Sequence, residues 1–315
     1  INKHNLYIIN NNFNLQNCSE KCQDKIKVDF FIQYPQGWTS VESVYNAFFR
    51  DDKFEPRIVQ IPYHYYKNKE YRDELREFFI SHELPFIPWY FYDIDIFKPD
   101  IIIYQSPYDG TRPEEFKVEN TNNKARIVYI PYGLEIGGGH ANLERQFNLT
   151  IQNKAWLICS RSHRNKAMYK KYCDNGDNNV VVTGHPKIDA IYNLKEFELD
   201  KNLIKVRTKK KTFLWNPHFS IDSNENWSTF NTWKDIILDI FEEREDLFLI
   251  IRPHPALIEN IENEDEEGIP GIIRFNNRIN KMDNVYFDTN FDYRHSFAIS
   301  DALISDASSF LLEYL

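Results

Sequence analysis

Arg252-Pro253-His254-Pro255 and Ser305-Asp306-Ala307-Ser308-Ser309 place a guanidinium, an imidazole, a carboxylate and hydroxyls in two short stretches. Such a set suits a phosphate-bearing ligand. Arg grips a phosphate through two parallel hydrogen bonds. An imidazole donates to a phosphate oxygen or to a leaving group. Pro253 and Pro255 fix the backbone on either side of His254. Ser308 or Ser309 is a natural N-cap for the apolar run that begins at Phe310, and helix N-termini attract anions. The plainer alternatives are a salt-bridged Arg252, a structural His254 and simple capping.

Two further stretches share this character. Thr183-Gly184-His185-Pro186-Lys187 offers a tight turn, an imidazole and a cation, and His218 closes Asn216-Pro217-His218. Zinc is a second use for three histidines, but no carboxylate or thiol stands at suitable spacing, so no metal and no cofactor is expected. Pro131-Tyr132-Gly133-Leu134-Glu135-Ile136-Gly137-Gly138-Gly139-His140 has the glycines of a mobile or closely approached loop. Its spacing is neither that of a Walker A loop nor that of a dinucleotide fingerprint. Glu135 and His140 are candidate general bases toward an acceptor hydroxyl; a loop with no chemical role is the alternative. Gln105-Ser106-Pro107-Tyr108-Asp109 is a further candidate on the acceptor side.

These stretches follow apolar runs that read as buried strands. Leu247–Ile251 leads into Arg252, Ala302–Ile304 into Ser305, Val180–Val182 into Thr183, Thr212–Trp215 into Asn216, and Arg126–Ile130 into Pro131. Ligands of open α/β sheets sit at the carboxyl ends of the strands. Strands are also expected at 27–33, 57–61, 101–104, 156–159 and 285–287. Val41, Val44, Tyr45, Phe48 and Phe49 recur at helical spacing, as do Trp233, Ile236, Ile237, Ile240 and Phe241. The alternation of strand and helix predicts parallel sheets covered on both faces. Its two like halves predict two domains, 1–154 on the acceptor side and 155–315 for donor binding.

The chain has 315 residues and a net charge of −9, which argues against a nucleic-acid partner held by general charge. Four cysteines, Cys18, Cys22, Cys159 and Cys173, are too few for a disulfide scaffold and read as ordinary thiols of a reducing compartment. The basic run Lys205–Lys211 reads as solvated, or as a patch facing anionic lipid or a polyanionic acceptor. No apolar run approaches a membrane span, so cytoplasmic placement with at most peripheral contact at the inner membrane face is expected. The start at Ile1 and the stop within an apparent helix point to a piece of a larger multidomain protein.

The motifs at Thr183–Asp189, Asn216–His218, Arg252–Pro255 and Ser305–Ser309 with Glu313-Tyr314-Leu315 resemble, in order and spacing, the CDP-glycerol glycerophosphotransferase family of teichoic acid and capsule synthesis. Lys98–Ile102, Gln105–Pro107 and Tyr129–Tyr132 extend a looser resemblance to about residue 27. The resemblance implies a GT-B-like fold, with two Rossmann-like doubly wound domains facing across a cleft and the second truncated here. It implies a membrane-associated transferase of the bacterial envelope. A glycerol-phosphate group would move from a CDP-linked donor to a polysaccharide or lipid-linked acceptor, with release of CMP. Donor contacts would come from Arg252, His254, His218, Ser308, Ser309, Thr183, Gly184 and Lys187, with Asp306 positioning its turn. Members carry Trp-His-Gly where this chain has Pro131-Tyr132-Gly133, so the base falls to His140 or Glu135. A glycosyltransferase using a nucleotide-sugar, and a non-catalytic nucleotide-binding domain, are the rival expectations.

Overall fold

Short runs of β-branched and aromatic residues build two separate parallel sheets. The computed structural model describes residues 25–63, 74–135, 138–192, 194, 210–221, 227–262, 265–266 and 269–314. Cys18, Cys22 and most of the basic run at 205–211 lie outside the described residues.

The first sheet has seven strands: β1 (Ile26–Ile32), β2 (Phe54–Gln60), β3 (Phe86–Pro88), β4 (Ile101–Tyr104), β5 (Arg126–Tyr129), β6 (Leu157–Ser160) and β7 (Val180–Val182). They run in the order β3-β2-β1-β4-β5-β6-β7, with every pairing parallel. The order reverses direction between β1 and β4, which is where an open sheet leaves a crevice beyond its strand ends. Phe31, Val59, Ile102, Tyr104, Ile127, Tyr129 and Ile158 share one buried cluster. Residues buried on both faces of a strand give the near-continuous apolar runs read in the sequence.

The second sheet has four strands: β8 (Lys211–Asn216), β9 (Leu247–Ile251), β12 (Val285–Phe287) and β13 (Ala302–Ser305), in the order β12-β9-β8-β13. A short antiparallel pair, β10 (Asp265–Glu266) with β11 (Ile269–Pro270), stands apart from it. Leu249 and Ile251 pack with Trp215 on one face of the second sheet, and Phe248 and Ile250 pack with Leu214 on the other. Here the direction reverses between β8 and β13.

Two expectations are corrected. The first compact unit ends at Ala190 and the second begins at Ile191, so the boundary is not at 154/155. The cause is pairing: Val128 and Tyr129 stand beside Leu157 and Ile158, and Ile158–Ser160 beside Val180–Val182, so β6 and β7 extend the first sheet. Local pattern makes a strand but does not say which sheet it joins. In helix Phe230–Glu242 the buried face is Phe230, Ile237, Leu238 and Phe241. Trp233, Ile236 and Ile240 of the expected stripe remain 47%, 47% and 48% exposed.

Candidate functional site

The carboxyl ends of β9, β8 and β13 are joined by backbone and side-chain hydrogen bonds. Register sets Ile251 beside Trp215 and Ser305 beside Asn216, so the residues that follow all emerge at one edge. The Arg252 and His254 N–H groups donate to the carbonyls of Trp215 (2.8 Å) and Pro217 (3.1 Å). Asn216 Nδ2 donates to the Arg252 carbonyl at 2.8 Å. Across the switch point, the His218 N–H donates to Asp306 Oδ2 at 3.0 Å. Asp306 also accepts from Ser228 Oγ (3.3 Å) and Thr229 Oγ1 (2.5 Å), which ties the loop after β8 to the end of β13.

The two imidazoles on this edge are a pair. The ring centroids of His218 and His254 are 6.1 Å apart, with Phe219 against both. In each, Nδ1 accepts the N–H two residues on, from Ser220 for His218 and from Ala256 for His254, both at 3.2 Å. A ring whose Nδ1 accepts carries its proton on Nε2 when neutral. Both histidines are thus fixed as Nε2–H donors. Partial burial against these neighbours, and then repulsion from His218, push the His254 pKa down to about 4. One side of His254 remains open to solvent, and among the described residues no group bonds to its Nε2.

Ser308 Oγ accepts the Phe310 N–H at 3.2 Å and so starts helix Phe310–Glu313. That helix is one turn, too short to add much dipole. Among the described residues nothing accepts from the N–H groups of Ala307, Ser308 or Ser309. Successive free N–H groups in a turn are suited to an anion.

Arg252 departs from expectation. Its Nη1 donates to Asp288 Oδ2 at 2.6 Å, and its Nη2 donates to the Asn290 carbonyl at 2.6 Å and the Phe291 carbonyl at 3.3 Å. The guanidinium is turned toward the end of β12, away from β8 and β13, and Arg252 is only 8% exposed. Asp288 is further held by Ser296 Oγ and by the N–H and Nδ2 of Asn290. Arg252 therefore positions strand ends, and its main chain rather than its side chain borders the histidine pair. Sequence reasoning missed Asp288, Asn290, Ser228 and Thr229. The sole signal for Asp288 was a lone carboxylate just past an apolar run.

Thr183, Gly184 and Lys187 lie in the first unit, after β7. Gly184 takes φ +82° at the turn after β7. His185 repeats the motif of the other histidines, with Nδ1 accepting the Lys187 N–H at 3.2 Å, but its Nε2 donates to the Pro131 carbonyl at 2.8 Å. His185 and Lys187 are both buried. This stretch fastens the end of β7 to that of β5.

The two base candidates differ. Glu135 Oε2 accepts from Asn165 Nδ2 at 2.9 Å and lies 3.5 Å from Arg161 Nε. Burial raises its pKa, against the pull of Arg161. His140 opens helix His140–Phe147 with its side chain 80% exposed, 3.8 Å from Glu144. Among the described residues no group of three or more His, Cys, Asp or Glu could hold a metal ion, and no helix is long and apolar enough to cross a membrane.

No curated protein matches the sequence. Solved structures resemble the chain in fold. A UDP-GlcNAc 2-epimerase from Methanocaldococcus jannaschii, in complex with UDP-GlcNAc and UDP, is 13% identical at TM-score 0.61, covering 91% of this chain and 80% of its own. The MnaA–UDP structure from S. aureus is 13% identical at TM-score 0.59, covering 91% and 75%. The UDP-GlcNAc 2-epimerase from Neisseria meningitidis bound to UDP-GlcNAc is 13% identical at TM-score 0.57, covering 89% and 77%. The fold is accordingly GT-B-like. The family CDP-glycerol:poly(glycerophosphate) glycerophosphotransferase matches residues 131–315. That span takes in the histidine pair, Asp306 and the Ser308–Ser309 turn, and with more than half of its length matched the chain belongs to this glycerophosphotransferase family.

Proposed function

We propose that the chain transfers a glycerol-phosphate group, or a related phosphoryl-linked group, from a CDP-linked donor to a hydroxyl of a teichoic-acid-like or capsule acceptor. The reading rests on the family and on one observation. His254 and His218 stand as paired Nε2–H donors beside the switch point of the second sheet. The donor pyrophosphate would lie over this edge, with the N–H groups of Ala307, Ser308 and Ser309 on its other side. The acceptor oxygen attacks the β-phosphorus. The bond from that phosphorus to the bridging oxygen breaks, and CMP leaves with the bridging oxygen. The imidazole N–H donors stabilise the charge that gathers on those oxygens. Arg252 holds the strand ends in place through Asp288.

The hydroxyl proton passes to a base. His140 fits that role better than Glu135, because its imidazole is exposed while the carboxylate is engaged by Asn165 and Arg161. Contact with a membrane surface belongs to the same proposal, since the acceptor would be lipid-linked. The solved UDP-bound structures of similar fold keep one rival open, a nucleotide-sugar donor. Incubating the full chain with CDP-glycerol, and separately with UDP-GlcNAc, tests both. CMP release that depends on acceptor supports the proposal; turnover of UDP-GlcNAc alone refutes it.

A further inference from the structure

In the first sheet four adjacent strands, β2, β1, β4 and β5, are each followed within a few residues by a tyrosine: Tyr63, Tyr34, Tyr108 and Tyr132. Tyr34 is the hub. Its ring centroid is 5.6 Å from that of Tyr63 and 5.9 Å from that of Tyr132, both edge-on, and Tyr132 lies 6.3 Å from Tyr108. β1 and β4 flank the reversal in strand order, so the cluster occupies the place where open sheets bind ligands.

These are not core tyrosines. Tyr92 and Tyr104 bury their hydroxyls onto Asp29 (2.5 Å) and the Phe116 carbonyl (2.9 Å). The four strand-end tyrosines stay partly exposed, with the Tyr34 hydroxyl hydrogen-bonded to Ser106 and that of Tyr132 to Tyr108. Burial and mutual proximity raise the pKa of Tyr34 and Tyr132, so both remain neutral phenols across the physiological range. Arg112, from the loop that carries Tyr108, donates to the Ser106 carbonyl at 2.7 Å and stacks 4.6 Å from the centre of the Tyr104 ring, so its charge is engaged. Aromatic faces with neutral hydroxyls match a ligand with C–H faces and many hydroxyls.

We propose that Tyr34, Tyr63, Tyr108 and Tyr132 form a binding platform for a hydroxyl-rich chain, of polyol or of sugar units. As the acceptor's docking place this rests on the transferase reading; as a binding site it stands separately. The full chain is titrated with two probes, a synthetic glycerol-phosphate tetramer and maltotetraose, followed by saturation-transfer NMR. Wild type is compared with Tyr108→Phe and with the Tyr34→Phe/Tyr132→Phe double variant, which keep the rings. At least one probe binds wild type, and the double variant binds it about fivefold or more weakly, as loss of two hydroxyl contacts implies. The variants keep the wild-type circular dichroism spectrum, and CDP-glycerol affinity stays unchanged. The tetramer binding marks a polyol chain, and maltotetraose a sugar chain. The platform is refuted when neither probe binds wild type, or when both phenol variants keep wild-type affinity within twofold. Phenol-dependent binding without CDP-glycerol turnover leaves the platform standing and removes the transferase reading alone.

Discussion

The Arg252 guanidinium lies 2.6 Å from the Asp288 carboxylate, and both residues are almost wholly shielded from water. Removing one partner of a buried ion pair leaves the other uncompensated, at about 3–5 kcal/mol. Arg252→Ala should therefore lower stability by about that amount in urea unfolding. Asp288→Ala should do the same. A variant of Arg252 with unchanged stability and weakened donor binding would instead mean a direct phosphate contact.

Because the His254 pKa is lowered, the unfolded chain binds its proton more readily than the folded one. The stability contributed by neutral His254 is present above about pH 6.5, its ordinary value, and is lost as pH falls through the folded value of about 4. Nitrogen NMR should show the Nε2–H tautomer at pH 7 and a titration midpoint near 4. A midpoint near 6.5, or a proton on Nδ1, would contradict the fixed donor.

Asp306 accepts from the His218 N–H, Ser228 Oγ and Thr229 Oγ1. Hydrogen bonds to a charged group contribute about 1.5–3 kcal/mol each. Asp306→Ala should release the His218 loop and weaken CDP-glycerol binding by about tenfold or more in calorimetry. Undiminished affinity would show that the loop needs no such tether.

A Cβ at Gly37 would stand 2.1 Å from Gln105 Nε2 and 2.8 Å from Tyr34 Cε2. Gln105 bonds to the Gln33 N–H at 3.1 Å and the Tyr34 carbonyl at 3.2 Å, so it cannot yield without disturbing both. Gly37→Ala should cost about 1–3 kcal/mol, as overpacking does, and a thermal melt checks it. An unchanged melting temperature would show that Gln105 has room to move.

Strands that run straight into chemistry were legible. β9 spans Leu247–Ile251 and β12 spans Val285–Phe287, as their apolar runs dictate. The closeness of His254 to His218 followed from strand ends alone. The direction of the Arg252 side chain did not, because Asp288 reaches it from 36 residues away. Nor did the placement of Thr183–Lys187: Val180–Val182 makes the same strand in either sheet, and only its register with β6 decides. The tyrosine cluster was hidden for a similar reason, since its four members come from four loops and share no local pattern.

On this mechanism the His254 imidazole acts on a CDP-linked donor. Phosphorus NMR of the full chain with CDP-glycerol and a glycerol-phosphate acceptor measures this directly. Wild type should release CMP only with acceptor present, and His254→Ala should lose about 100-fold or more of that rate with the fold intact. Equal rates in the two proteins, or CDP-glycerol left untouched while UDP-GlcNAc is consumed, would contradict it.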